Sequence, residues 1–203
     1  RALRFASVFG YEIESCTEQA IHNSRARLRH VAAERIHAEL CKLLTGDSVG
    51  TVLRRFPDVL CEFWPQLEPL AQLKQNNPWH CWDGWDHTIH TVEAAPADEV
   101  LRLTMLLHDI GKPSCKSTDD QGVDHFYGHP AVSAELAGQM LRTLKFENRT
   151  RERVVTLVEY HDVQIPNRDR SIRKWLGRLG PETFFQLLEV KRADGMGQAY
   201  ELV

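Results

Sequence analysis

The chain has 203 residues, 42% apolar and 26% charged, proportions that exclude a disordered, collagenous or disulfide-scaffold protein and are sufficient for a real core. Its 25 Lys and Arg against 28 Asp and Glu give a net charge of -3, so nothing pulls the whole chain toward nucleic acid and any anion site must be local.

Helical periodicity runs through almost every segment and no sustained strand alternation appears, so the fold class is all-α. In residues 17–46, Leu28, Val31, Ala32, Ile36, Leu40 and Leu43 recur at helical spacing, with Ser24 as an internal N-cap and Gly46 as the stop. A second helix starts near Asp47 or Ser48 and ends before Pro57, because the residue before proline is pushed out of the α region. The tryptophan-rich stretch from Trp64 to Trp85 follows. Its prolines and its Asn-Asn-Pro triplet place a boundary near residue 75, between a helical neck or body (1–75) and a second bundle (76–203).

Beyond that boundary the pattern predicts helices over 85–95, 98–110, 130–144, 150–162, 171–179 and 181–200. Asp98, Thr150 and Ser171 are the expected caps, and Pro181 opens the last helix. The long polar segment between the second and third of these reads as a loop with a small hairpin, of a length that loops usually keep for function. Residues 142–178 carry ten Lys or Arg against five Asp or Glu, which makes either a phosphate-attracting surface or a solvated helical face.

No apolar stretch approaches the length of a membrane span, and the N-terminal residues lack the shape of a signal peptide, so the expectation is a cytoplasmic protein without a membrane partner. Five cysteines without a Cys-x-x-Cys spacing read as reduced thiols. A start without Met and an end in mid-pattern suggest a fragment.

Ten histidines are an excess for this length. His108 and Asp109 end an apolar helix, VLRLTMLLHD, which places two ionisable groups at the floor of a core. Metal coordination is one of the few arrangements that makes such burial tolerable, and a helix-capping His-Asp pair is the alternative. Gly111 then ends the helix, and Lys112 supplies a cation one turn from the carboxylate. His87 lies 21 residues before His108 and His129 lies 21 after it, with His161 and Asp194 further on, on or beside predicted helices of one bundle.

Imidazole and carboxylate without thiolate suit magnesium, manganese, iron, nickel, cobalt or zinc, which the residues do not distinguish. One ion would use His87, His108, Asp109 and Asp194; adding His129 and His161 accommodates a second, with Asp109 bridging. Paired cations support in-line phosphoryl displacement. In that chemistry Asp109 and Lys112 act at the reacting group, and His125 or Asp162 moves protons or orients the ligands from outside.

The pattern of His87, the His108-Asp109 pair and a distant Asp194 in KRADGMG resembles the HD superfamily of metal-dependent phosphohydrolases. His129 and His161 fall where its binuclear branch places further histidines. HFYGHPAVSAELAGQMLRTLKF and NNPWHCWDGWDHTIHTVE resemble the HD domain of bacterial tRNA nucleotidyltransferases of the poly(A)-polymerase type. RALRFASVFGYEIE resembles the continuation of that family's nucleotide-templating motif, and AAERIHAELCKLL resembles its next neck helix.

The resemblance implies phosphatase or cyclic phosphodiesterase activity on nucleotides or RNA ends. It also implies a tRNA or nucleotide partner and a full-length protein that adds or repairs the tRNA CCA end. The catalytic head would precede residue 1, so CCA addition is not expected of this chain alone. Arg4, Arg25 and Arg29 would line the tRNA path, although arginines along an amphipathic helix are commonly a solvated face. Two rival readings remain: a tRNA- or partner-binding module with a residual metal site, and a hydrolase of signalling nucleotides.

Overall fold

The computed structural model describes residues 1–76 and 82–198. It is all-α apart from one two-stranded hairpin. The first part of the chain holds α1 (Ala2–Phe9), α2 (Ser15–Ser24), a 3-10 turn (Arg25–His30), α3 (Ala33–Leu44), α4 (Val49–Arg55), α5 (Pro57–Phe63) and α6 (Leu67–Ala71). There follow α7 (Gly84–Ala94), α8 (Glu99–Leu107), α9 (Lys112–Cys115), strands β1 (Ser117–Thr118) and β2 (Asp124–His125), α10 (His129–Thr143), α11 (Asn148–Tyr160) and α12 (Asp169–Gly197). His80, Cys81, Trp79 and the end of the helix expected to reach residue 200 lie outside the described residues.

The amphipathic stretch over 17–46 is not one helix. It breaks at the 3-10 turn, and Ser24 ends α2 instead of capping a helix. Packing against α5 overrides the local periodicity: Arg25 Nε lies 3.4 Å from Asp58 and Arg29 Nε 2.5 Å from Glu62. The stop after α3 holds. A Cβ on Gly46 would meet Ser7 O at 2.5 Å, so α1 crosses there only because glycine is present. Phe56 before Pro57 leaves the helical region and separates α4 from α5, as expected.

Of the three expected caps only Asp98 acts as one, accepting a 2.9 Å bond from Leu101 N; such caps contribute about 1 kcal/mol. Thr150 and Ser171 instead lie inside their helices, because the extended residues Glu147 and Arg168 start those helices earlier. Gly180, at φ 75°, kinks α12 just before Pro181, so the expected pair of helices survives as two arms of one.

The core runs without interruption across residue 75. Trp64 donates to Met140 O at 3.0 Å and Trp85 to Leu53 O at 3.1 Å. Arg102, buried in α8, donates to Leu44 O at 2.6 Å and Gly46 O at 2.7 Å. It thereby satisfies a carbonyl that the end of α3 leaves without an intrahelical partner. No helix among the described residues is long and apolar enough to cross a membrane. Cys16, Cys41, Cys61 and Cys115 are free thiols, as expected.

Candidate metal centre

α8 is buried along nearly its whole length, so the residues at its end emerge inside the bundle. There His108 and Asp109 are 0% and 1% exposed. α7 brings His87, α10 begins with His129, His161 ends α11, and the second arm of α12 contributes Asp194. The structure thus brings together all six expected ligands.

One device orients three of the histidines. Nδ1 of His108, His129 and His161 bonds the backbone carbonyl three residues earlier, Met105 O at 2.7 Å, Phe126 O at 2.8 Å and Val158 O at 2.7 Å. His87 Nδ1 reaches Gly197 O at 3.3 Å. A carbonyl only accepts, so each Nδ1 carries a hydrogen and each ring turns its Nε2 inward.

The Nε2 atoms meet Asp109 in two groups. Asp109 Oδ2 lies 3.4 Å from His87 Nε2 and 3.2 Å from His108 Nε2, and Asp194 Oδ1 completes that group at 3.1 Å from His87 and 3.6 Å from His108. Asp109 Oδ1 lies 3.2 Å from His129 Nε2 and 3.7 Å from His161 Nε2. Within each group the paired Nε2 atoms stand 3.2 Å apart.

These separations suit metal ligands, since bonds of roughly 2.0–2.2 Å in tetrahedral or octahedral geometry put neighbouring ligands roughly 3.0–3.6 Å apart. Asp109 Oδ2 is buried without a hydrogen bond; its 2.6 Å ion pair with Lys112 Nζ lacks hydrogen-bond direction. A buried carboxylate oxygen left so is costly, and a cation resolves it. His87, His108 and Asp109 can hold one metal ion, and Asp109, His129 and His161 another.

The field has the matching sign. Burial disfavours a charged His108, yet Asp109 and Asp194 overcome it and raise its pKa to about 10. Burial opposes ionisation of Asp109 too, but His108 and Lys112 hold it well below the usual carboxylate range. Asp194 is likewise held low despite burial, by its hydrogen bonds to His108 and His87. Burial, then the charge on His108, brings His161 down to about 3, so it stays neutral.

A cleft of about 270 Å³ opens onto this centre, with Tyr127 and Asp162 on its wall. Lys112 is buried at the base and also donates to Gln75 Oε1 at 3.3 Å. Sequence reasoning missed Gln75, which carries no signal beyond its place at the expected boundary. Asp162 is exposed on the cleft wall, nearer to an incoming substrate than the supporting position expected for it.

His125 sits on β2, where Nε2 bonds Asp119 at 2.9 Å and the ring stacks on the cleft residue Tyr127 at 5.3 Å, outside the ligand cluster. The hairpin's tight turn, closed by Asp119 accepting from Gln121 N and Val123 N, turns it aside. His90, three residues after His87, packs on Trp82 instead of joining the centre. Arg4, Arg25 and Arg29 are each spent on carboxylates, of Glu39, Asp58 and Glu62 respectively.

The helical fold and this centre define a helical domain whose buried histidines and aspartates could hold divalent metal. The HD domain family model matches residues 83–194, a span that includes all six ligands, and the chain belongs to that family. A second family model, described as "Probable RNA and SrmB-binding site of polymerase A", matches residues 10–56.

The chain is 33% identical to an A-adding tRNA nucleotidyltransferase of Deinococcus radiodurans over 96% of its own length and 47% of the relative's. It is 31% identical to a CC-adding tRNA nucleotidyltransferase of Thermus thermophilus, over 88% of this chain and 44% of that one. A multifunctional CCA protein of Azoarcus is 29% identical over 98% of this chain and 51% of its own. The chain therefore spans about half the length of these relatives.

Proposed function

We propose that the chain is a metal-dependent phosphohydrolase domain acting on phosphomonoester or 2′,3′-cyclic phosphate bonds of nucleotides or RNA ends. The whole protein would act on the tRNA CCA end. The observation that carries the reading is Asp109, whose two oxygens each face a separate pair of histidine Nε2 atoms.

His87, His108, Asp109 and Asp194 would hold one divalent ion, and Asp109, His129 and His161 a second. Such ions supply an activated water and charge neutralisation at a phosphoryl group. The protein's own groups do the rest. The carbonyl-bonded Nδ1 atoms fix the ring orientations, Lys112 neutralises charge on the transferring phosphoryl, and Asp162 orients groups entering the cleft. Likeness to the three nucleotidyltransferases supports an RNA end as the substrate.

The deciding assay measures bound metal in this chain and hydrolysis of 2′,3′-cyclic nucleotides and phosphomonoesters. Loss of both metal and hydrolysis in Asp109→Ala is expected; hydrolysis unaffected by that substitution overturns the reading.

The match over residues 10–56 favours a second reading, a module that grips tRNA. Binding through several phosphates weakens steeply with salt. Salt-sensitive tRNA binding by a protein with no hydrolytic activity would favour it over the first.

A further inference from the structure

A second cluster joins an imidazole, a thiol and a carboxylate away from the histidine centre. His37 and Cys41 stand one turn apart on α3, and Glu99 is the first residue of α8. One ligand atom from each lies within 4.8 Å of the others. They line a cavity of about 360 Å³ between the neck and the metal-binding bundle. The His37 ring is held flat against buried Phe146, with centroids 3.9 Å apart and planes 19° from parallel, so its edge is already aimed.

We propose that His37, Cys41 and Glu99 form a separate metal site that takes a borderline divalent ion such as zinc and staples α3 to α8. The donor set is one nitrogen, one sulfur and one carboxylate oxygen, which zinc accepts at roughly 2.0–2.3 Å. Ligands at those bond lengths stand roughly 3.3–3.8 Å apart, so closing the site asks for side-chain movements on the order of 1 Å.

The charge balances as well. A neutral imidazole, a thiolate and a carboxylate together offset a divalent ion. On binding, the Cys41 S–H bond breaks, its proton leaves to water, and the sulfur lone pair forms the metal bond. Burial, then the neighbouring Glu99, pushes the Cys41 thiol up to about 12, so a cation must displace that proton. The Thr45 hydroxyl is engaged with Cys41 O at 3.0 Å, which leaves the fourth position to a water from the cavity. Lys42 lines the same cavity and lowers the affinity that the three ligands would otherwise reach.

Cobalt(II) titration of the chain tests the proposal, because a thiolate–cobalt charge-transfer band cannot arise from the sulfur-free histidine centre. The band should saturate at one cobalt per chain beyond what the sulfur-free histidine centre takes up, persist in Asp109→Ala and vanish in Cys41→Ser. Glu99→Gln and His37→Ala should keep a band with affinity lowered by about tenfold or more. Zinc should also slow alkylation of Cys41 in the unaltered chain, a readout that does not depend on a variant folding. A missing band, a band that survives Cys41→Ser, or alkylation of Cys41 indifferent to zinc would each overturn the site.

Discussion

Lys112 Nζ lies 2.6 Å from Asp109 Oδ2, the oxygen that also faces His87 and His108. The ammonium and a metal ion held there would share one carboxylate oxygen, and Lys112 also lines the cleft. Lys112→Met should leave metal content unchanged and lower kcat/KM for phosphoester hydrolysis on the order of 10²- to 10³-fold. Metal analysis beside steady-state kinetics separates the two effects. Metal lost together with activity would mean that Lys112 holds the centre together and does not act on the phosphoryl group.

Asp109 belongs to both ligand groups, whereas His161 belongs to one. Asp109→Ala should therefore abolish binding of both ions, and His161→Ala should remove only one. Elemental analysis of the purified variants reads this directly, and equal losses in the two variants would refute the bridging role.

A Cβ on Gly111 would lie 2.7 Å from Ser133 N and 2.8 Å from His129 O, both backbone atoms of α10 that cannot rotate away. Gly111→Ala should cost about 1–3 kcal/mol of stability and displace His129. Urea denaturation should give the stability loss, and metal titration should show the His129 and His161 group weakened before the other.

Asp124 offers a pH test away from the metal ligands. Its carboxylate bonds Lys116 Nζ at 2.8 Å, Asn76 N at 2.9 Å and Thr118 Oγ1 at 2.7 Å, and these hold its pKa down at about 2. A carboxyl whose folded pKa is depressed stabilises the fold fully above its unfolded value, about 3.9, and loses that contribution as pH falls through the folded one. Thermal unfolding between about pH 4 and pH 2 should show this loss, and Asp124→Asn should flatten it. An unchanged pH slope in the variant would count against these contacts.

Arg102 ties the two halves of the chain together through Leu44 O and Gly46 O. Arg102→Met keeps the aliphatic volume but strands those carbonyls, at a cost of about 2–4 kcal/mol. Chemical denaturation should show a lower midpoint with an unchanged slope; a neutral result would mean that water replaces the guanidinium there.

The convergence of the candidate ligands was legible because burying a histidine beside an aspartate in an apolar helix is rarely tolerated without a partner, and His108-Asp109 stands at the end of such a helix. The helical class was legible because residues such as Ile36, Leu40 and Leu43 declare the buried face by their spacing. The pairing of His125 with Asp119 was not legible, because a histidine in a polar loop near the motif has the same composition whether it faces the cleft or a neighbouring carboxylate. The break in the amphipathic stretch over 17–46 was not legible, because the extended backbone at Val31 and Ala32 that separates the 3-10 turn from α3 leaves the apolar spacing unchanged.

The sequence by itself determined which groups had to be buried together, since apolar periodicity and the ionisable residues interrupting it are local properties of the chain. Only the tertiary structure decided how those groups face one another. That Asp109 divides its oxygens between two histidine pairs, and that each Nε2 points inward because a carbonyl claims Nδ1, depends on helix ends converging from distant parts of the sequence. No spacing encodes those angles, because they are set by helix packing and not by the order of residues.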